Sequence, residues 1–116
     1  MFKNPIIKTS HTVVIELFIA GDAQHCIQLI QRFVERGGCF SIEPTTFVYT
    51  GGRESGCLIR SINYPRFPEC EEALVEEMQE LAEYLLLEMG QGSCSIVAPS
   101  KTIWITRRKQ DVDASQ

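Results

Sequence analysis

The sequence lacks the patterns that mark a disulfide-rich, metal-binding or secreted protein. Its five cysteines are widely spaced and form no CxxC pair, so neither a disulfide framework nor a cysteine-based zinc site is predicted. The two histidines, His11 and His25, do not supply paired ligand spacing either. The apolar run Val13–Ala20 is interrupted by Glu16 and does not have the form of a signal peptide. The sequence therefore predicts a cytoplasmic protein with reduced thiols and with no metal or other cofactor.

Long hydrophobic runs and evenly spread positive charge are also missing. Nothing approaches the roughly 20 consecutive apolar residues that a membrane-spanning helix needs, so no membrane partner is expected. No lysine or arginine lies between Phe67 and Ser100, whereas eight glutamates fall between Glu69 and Glu88. The net charge of −4 comes wholly from residues 59–116. Such a segment repels a phosphate backbone, so a nucleic-acid partner is not predicted.

What is present is the composition of one globular domain. The chain has 116 residues, of which 44% are hydrophobic and 22% charged, and these fractions are ordinary for a folded protein. A chain of this length can bury a real core without the support of a metal or a disulfide. We therefore predict a single α+β domain over residues 1–110, followed by a disordered polar tail over residues 111–116.

Three strands and one helix are predicted in the first half of the chain. His11–Ala20 is a nearly continuous β-prone run and predicts the first strand. Asp22 is a candidate N-cap of an amphipathic helix that ends at a glycine pair. Cys39–Thr50 and Cys57–Tyr64 predict two further strands, and the glycine-rich segment Gly51–Gly56 predicts the hairpin loop between them.

The second half predicts one long helix and two short strands. The helix extends from about Glu69 to Met89 and has an apolar stripe at helical spacing. Cys94–Val97 and Thr102–Thr106 then form a hairpin. The element order β-α-β-β-α-β-β over residues 12–106 resembles the ferredoxin-like βαββαβ plan with an extra C-terminal strand. That resemblance implies an antiparallel sheet with two helices on one face, and Pro44 fits the edge position that the plan gives to the second strand.

Two segments carry a second resemblance. Tyr49–Gly56 and Ile62–Pro68 are similar to segments of small uncharacterised bacterial and mobile-element proteins that have no assigned activity. This resemblance implies no chemistry. The ferredoxin-like plan hosts many unrelated functions, so the fold does not predict an activity.

The alternation of side chains along the strands predicts a binding surface. In the first strand the all-apolar set faces the helices, which places Glu16 and Phe18 on the open face of the sheet. In the third strand Leu58, Arg60, Ile62 and Tyr64 share one face, so we predict a contact between Arg60 and Glu16. An alternative is that Arg60 only lies at the rim of the sheet. A mixed apolar face of this size predicts a partner subunit or a ligand that covers it.

The segment Gly51–Pro68 contains the other candidate binding residues. The glycines of the loop could hold an anion on their amide groups, with Arg53 adding positive charge, or the loop could be a plain hairpin turn. Two prolines could hold Tyr64 and Arg66 rigidly toward a carboxylate or phosphate, or the same residues could be a structural connection.

Three functions follow as hypotheses, and no catalytic residue is predicted. The favoured one is a non-enzymatic binding or interaction module that forms a homodimer through the open sheet face. The second is a small enzyme or anionic-metabolite-binding protein, with a site built from Arg53, Glu54, Arg60, Tyr64 and Arg66. The third is an acidic, charge-mimicking inhibitor from a mobile element, whose glutamate-rich helix occupies a basic groove of another protein.

Overall fold

The computed structural model describes residues 4–114 of the chain. Five strands and three α-helices are present, and a turn of 3₁₀ helix, Val34–Arg36, follows the first α-helix. The strands are β1 (Val14–Ala20), β2 (Ser41–Tyr49), β3 (Gly52–Ile62), β4 (Ser93–Val97) and β5 (Thr102–Thr106). The helices are α1 (Ala23–Phe33), α2 (Glu71–Glu88) and α3 (Lys109–Ala114).

The strands form one antiparallel sheet in the order β2-β3-β1-β4-β5. This is the ferredoxin-like α+β arrangement with an extra strand, β5, added beside β4, so the predicted fold class is confirmed. β1 is central and β2 lies at one edge. Pro44, which cannot donate a ladder hydrogen bond, lies in this edge strand as predicted.

The core lies between the sheet and one layer of helices. Ile15, Leu17 and Ile19 of β1 are buried against α1 and α2, whereas Glu16 and Phe18 between them point to the other face and are only partly covered. The same alternation buries Cys57 and Ile59 of β3. Glu16 and Phe18 therefore lie on the open face of the sheet, as predicted. Because side chains alternate along a strand, burial of one set of residues assigns the other set to the opposite face.

Side chains satisfy free backbone groups at the start of α1 and at the end of α2. The carboxylate of Asp22 accepts a hydrogen bond of 2.9 Å from the backbone N–H of His25, as the predicted N-cap of α1. α2 has no basic residue in its last turn. Arg107, from beyond β5, donates instead to the carbonyl of Leu86 at 2.9 Å. Across residues 4–114, no helix combines the length and the apolar character that crossing a membrane requires.

The β2–β3 hairpin differs from the prediction. Gly51–Gly56 was expected to be a loop, but β3 begins at Gly52 and only Thr50 and Gly51 form the turn. Glycine is needed inside the strand at position 56, because a Cβ there would lie 2.1 Å from the ring of Phe47 and 2.7 Å from a backbone carbonyl. The sequence pattern assigned Gly56 to the hairpin loop. In the structure this glycine lies inside β3, where its lack of a side chain leaves room for the ring of Phe47 on the neighbouring strand.

The C-terminal segment contains a third, short helix. α3 covers residues 109–114, and residues 115–116 lie outside the described range. The hydroxyl of Thr106 donates to the carboxylate of Asp111 at 2.6 Å, and Arg108 forms an ion pair with the same carboxylate at 3.0 Å. These contacts attach the start of α3 to the end of β5.

Candidate functional site

The centre of the open sheet face is an ion triad. Arg60 donates from Nε to the carboxylate of Glu16 at 2.8 Å and from Nη1 to that of Glu43 at 2.7 Å. Glu16 and Arg60 are direct partners in the β1–β3 register, as the strand alternation predicted. The two hydrogen bonds, to Glu16 first and Glu43 second, raise the pKa of Arg60. Glu43 was not foreseen, because its position depends on the β2–β3 register.

Apolar side chains surround this triad on the open face. Phe18 is paired with Leu58, and Val14 is paired with Ile62 at the end of the same two strands. Val14 and Ile62 leave 38% and 39% of their surface exposed, which is high for aliphatic residues in central strands. Trp104 of β5 lies on the same face and is 55% exposed. The face is therefore apolar with a charged centre.

The six predicted site residues do not form one continuous group. Glu16, Phe18 and Arg60 are neighbours on the open face. Arg53 lies near the tip of the β2–β3 hairpin, where it is exposed and pairs with Val48. Arg66 is exposed with its guanidinium 5.2 Å from the ring centroid of Phe67.

Tyr64 lies elsewhere than predicted. β3 ends at Ile62, so the alternation that was to carry Tyr64 onto the open face stops two residues earlier. Its hydroxyl lies 3.4 Å from the Sγ of Cys39, and the ring lines a cleft with Leu74 and Glu77 of α2. Tyr64 therefore belongs to the helix side of the molecule.

This cleft, hereafter the acidic cleft, has a volume of about 270 Å³. One wall is the turn Tyr64–Phe67, which is closed by a hydrogen bond of 2.9 Å from the N–H of Phe67 to the carbonyl of Tyr64. Pro65 at the second position of the turn fixes the backbone there. The residues that line the cleft are Gly38, Cys39, Ser61, Ile62, Tyr64, Phe67, Glu69, Leu74 and Glu77.

Asn63 holds the wall of the acidic cleft in place. Its side-chain amide donates to the carbonyl of His11 at 2.8 Å, and its Oδ1 accepts from the N–H of Glu69 at 2.8 Å. The side chain is buried, with 8% of the residue exposed, so both bonds are sheltered from water. Asn63 thus ties the N-terminal segment, the end of β3 and the approach to α2 together.

The acidic cleft has a negative electrostatic character. No lysine or arginine is among the described residues that line it, whereas Glu69 and Glu77 both are. Burial raises the pKa of Glu77, the charge of Glu69 raises it further, and Arg36 acts in the opposite direction. The contact with Cys39 raises the pKa of Tyr64 above its ordinary value. A site of this kind attracts a cation and offers it a neutral hydroxyl.

Sequence reasoning did not single out Cys39, Glu69 or Glu77. Glu77 is one of eight glutamates in a segment read as a solvated helix face, and nothing local marks it as the one turned toward the cleft. The position of Glu77 follows from the packing of α2 over β3, which no sequence motif predicts. Pro65 and Pro68 were the only sequence feature that pointed to this cleft, since they predicted a stiff connection between β3 and α2.

The other glutamates of α2 have different surroundings. Glu71 accepts hydrogen bonds from the hydroxyl and the N–H of Ser100, and Glu80 forms an ion pair with Arg36. A hollow of about 360 Å³ beside Glu71 is larger than the acidic cleft, but Ser100 already satisfies this carboxylate. Within residues 4–114, no cluster of three histidine, cysteine or acidic residues has the arrangement of a metal site. The helix therefore does not present one uniform acidic surface.

Comparisons with known proteins are informative at the level of the fold. No family model and no curated protein matches the chain. Among solved structures, the chain is similar to a phage SAM lyase in the apo state, with a TM-score of 0.72 and 15% identity over 90% of this chain and 98% of that chain. A phage SAM lyase in complex with S-methyl-5′-thioadenosine gives a TM-score of 0.67 and 15% identity over 87% and 94%. The likeness shows a shared fold that spans nearly the whole of each chain.

Proposed function

We propose that this chain is a small enzyme that binds S-adenosylmethionine in the acidic cleft and cleaves it to S-methyl-5′-thioadenosine. The acidic cleft is the observation that carries the proposal, because it brings carboxylates and aromatic rings together in one open cleft. The similarity to phage SAM lyases supports it, since proteins of the same plan and nearly the same extent perform this chemistry. The sequence favoured a non-enzymatic module, so the proposal takes up the second hypothesis with a different set of residues.

The negative charge of the acidic cleft favours a cationic ligand. S-adenosylmethionine carries a sulfonium cation, and the carboxylates of Glu69 and Glu77 supply the opposite charge without a competing lysine or arginine in the described lining. The product thioether is neutral and loses this attraction. The cleft would therefore hold the substrate more tightly than S-methyl-5′-thioadenosine, which favours product release.

The aromatic residues give the cleft a second means of holding a cation. Phe67 is 68% exposed, at the end of a turn whose backbone is fixed. The guanidinium of Arg66 lies 5.2 Å from its ring centroid, so a bound sulfonium would lie against the opposite face of the ring. An aromatic face attracts a sulfonium in the same way that it attracts an ammonium, with about 0.5–2 kcal/mol depending on solvent exposure. Tyr64 adds a phenolic hydroxyl, whose oxygen can accept a hydrogen bond from a polar group of the ligand.

The reaction needs little beyond orientation and a proton acceptor. When the bond between sulfur and the four-carbon fragment breaks, sulfur keeps the electron pair and becomes a neutral thioether. As this bond breaks, either a carboxylate oxygen of the fragment forms a C–O bond to the same carbon and closes a lactone, or a base removes a proton from the adjacent carbon and a C=C bond forms. Glu77 is the best-placed base for the second route, because burial raises the pKa of its carboxyl toward neutral pH.

The proposal is tested by incubating the protein with S-adenosylmethionine and measuring S-methyl-5′-thioadenosine by liquid chromatography. We expect product formation that depends on protein concentration. Glu77→Gln should lower kcat/KM roughly tenfold or more, because the variant loses the negative charge that attracts the sulfonium and, on the route by proton loss, the base. Glu83→Gln is the matched control, since Glu83 is exposed on the same helix and does not line the cleft.

The outcome that would contradict the proposal is equally direct. If the folded protein forms no product above the rate without protein, the chain does not catalyse this cleavage. If product forms and Glu77→Gln and Glu83→Gln behave alike, the activity lies outside the acidic cleft. Analysis of the four-carbon product distinguishes the two routes, because ring closure and proton loss give different compounds.

A homodimer through the open sheet face is a second proposal, compatible with the first. Its support is the exposed apolar surface of Trp104 and Ile62 around the Glu16–Arg60 pair. A monomer rarely leaves such an area in water, and a second copy would cover it. Light scattering over a range of concentrations tests this proposal, and a strict monomer at high micromolar concentration would contradict it.

A further inference from the structure

A second hollow adjoins the acidic cleft across Gly38 and Cys39. It has a volume of about 220 Å³ and shares these two residues with the cleft. The other residues that line it are Ile27, Ile30, Gln31, Val34, Phe40 and Ile42. Among these described residues Gln31 alone has an amide or charged side chain. This apolar hollow therefore contrasts with the acidic cleft beside it.

Gly38 is the point where the two hollows meet. A Cβ at this position would lie 3.5 Å from Oε2 of Glu77, 3.5 Å from the ring of Phe40 and 3.7 Å from the side chain of Val34. A carboxylate from the acidic cleft and two apolar groups from the apolar hollow thus converge on one glycine. Gly38 also has a φ of 126°, which favours glycine. A methyl group here would be in van der Waals contact with residues that line both hollows.

Each hollow alone is small for a drug-sized or cofactor-sized ligand. Ligand pockets typically measure ~300–1,000 Å³, and the volumes of 270 and 220 Å³ both fall below this range. The two hollows taken together fall within it. A ligand that used both would lie across the backbone of Gly38 and Cys39.

We propose that the acidic cleft and the apolar hollow form one bipartite site, in which a cationic group lies beside Glu77 and an uncharged, flat group lies against Ile27, Val34 and Phe40. The inference rests on the proposed function and adds the orientation of the ligand. In S-adenosylmethionine the sulfonium end occupies the acidic cleft and the adenine occupies the apolar hollow. Gln31 supplies the amide that can pair with the edge of the base.

The test measures the dissociation constants of three ligands by calorimetry. S-adenosylmethionine has both ends, S-methyl-5′-thioadenosine lacks the charge, and S-methylmethionine lacks the nucleoside. Glu77→Gln should weaken the two sulfonium ligands about tenfold and leave S-methyl-5′-thioadenosine within twofold. Ile27→Gln should weaken the two nucleosides about fivefold and leave S-methylmethionine within twofold. Ile27 is 39% exposed, so this variant keeps most of the core intact.

Gly38→Ala tests the junction and has a matched control. Gly37 has a φ of 111°, similar to that of Gly38, but a Cβ there would meet nothing within 4 Å. Gly37→Ala therefore carries the backbone strain alone, whereas Gly38→Ala also adds a methyl group at the junction of the two hollows. We expect Gly38→Ala to weaken S-adenosylmethionine at least tenfold more than Gly37→Ala does. Equal effects of the two variants would overturn the role of the junction.

The outcomes separate this inference from the proposed function. If the wild type forms S-methyl-5′-thioadenosine but Ile27→Gln and Gly38→Ala bind all three ligands as the wild type does, the bipartite site is wrong and the reaction stands. If the variants change the dissociation constants as expected but no product forms, the site stands and the reaction is wrong. Unchanged binding with no product overturns both.

Discussion

Trp104 provides a quantitative test of the homodimer proposal. It lies on the open sheet face with 55% of its surface exposed, in an edge strand away from the acidic cleft. A tryptophan offers ~150–250 Å² for burial, so roughly 80–140 Å² of Trp104 remains for a partner to cover. At ~25 cal/mol per Å² this area contributes about 2–3.5 kcal/mol from each copy.

We expect Trp104→Glu to raise the dimer dissociation constant by about 30-fold or more, because 2 kcal/mol corresponds to that factor. Sedimentation equilibrium of the wild type and the variant measures the change. Leu87→Glu is the matched control, since Leu87 is 62% exposed and lies on α2 rather than on the sheet. The same dissociation constant in Trp104→Glu and wild type would refute the assignment of the open face as the interface.

Three further variants test the packing of the fold and the titration of the cleft. Gly56→Ala should lower the free energy of unfolding by about 1–3 kcal/mol in urea melts, because the added Cβ would lie 2.1 Å from the ring of Phe47. An unchanged free energy of unfolding would contradict this packing. Asp22→Ala should lower the free energy of unfolding by about 1 kcal/mol in the same assay, because the helix loses its N-cap. An unchanged urea midpoint would contradict the role of Asp22 as the N-cap. The raised pKa of Glu77 means that the folded state holds its proton to higher pH than the unfolded state. Stability should therefore fall as pH rises from the ordinary carboxyl pKa through the raised one, and Glu77→Gln should remove that part of the slope, which identical pH profiles would contradict.

The sheet was predictable because its information is local. Alternating side chains in β1 and β3 identify the buried face, and burial of one face fixes the other, so the Glu16–Arg60 pair followed from the sequence. Pro44 placed β2 at an edge for an equally local reason, the missing N–H. The N-cap at Asp22 rests on the chemistry of a single side chain.

The acidic cleft was not predictable because it depends on how distant elements pack. The position of Tyr64 depends on where β3 ends. Because β3 ends at Ile62, two residues before Tyr64, the ring lies on the helix side and not on the open face. Glu77 differs from the other glutamates of α2 only through its position over the cleft. Gly38 looked like part of a helix stop, and its contacts with Glu77 appear only in three dimensions.

The central claim is that the acidic cleft, and not the open sheet face, holds the ligand. The most direct measurement is a titration of ¹⁵N-labelled protein with S-methylmethionine, which carries the sulfonium but no nucleoside, followed by amide chemical shifts. We expect saturable shifts at Cys39, Leu74 and Glu77, which line the cleft. The amides of Phe18 and Leu58 on the open face should not move. Saturable shifts confined to the open face, or none anywhere, would contradict the account.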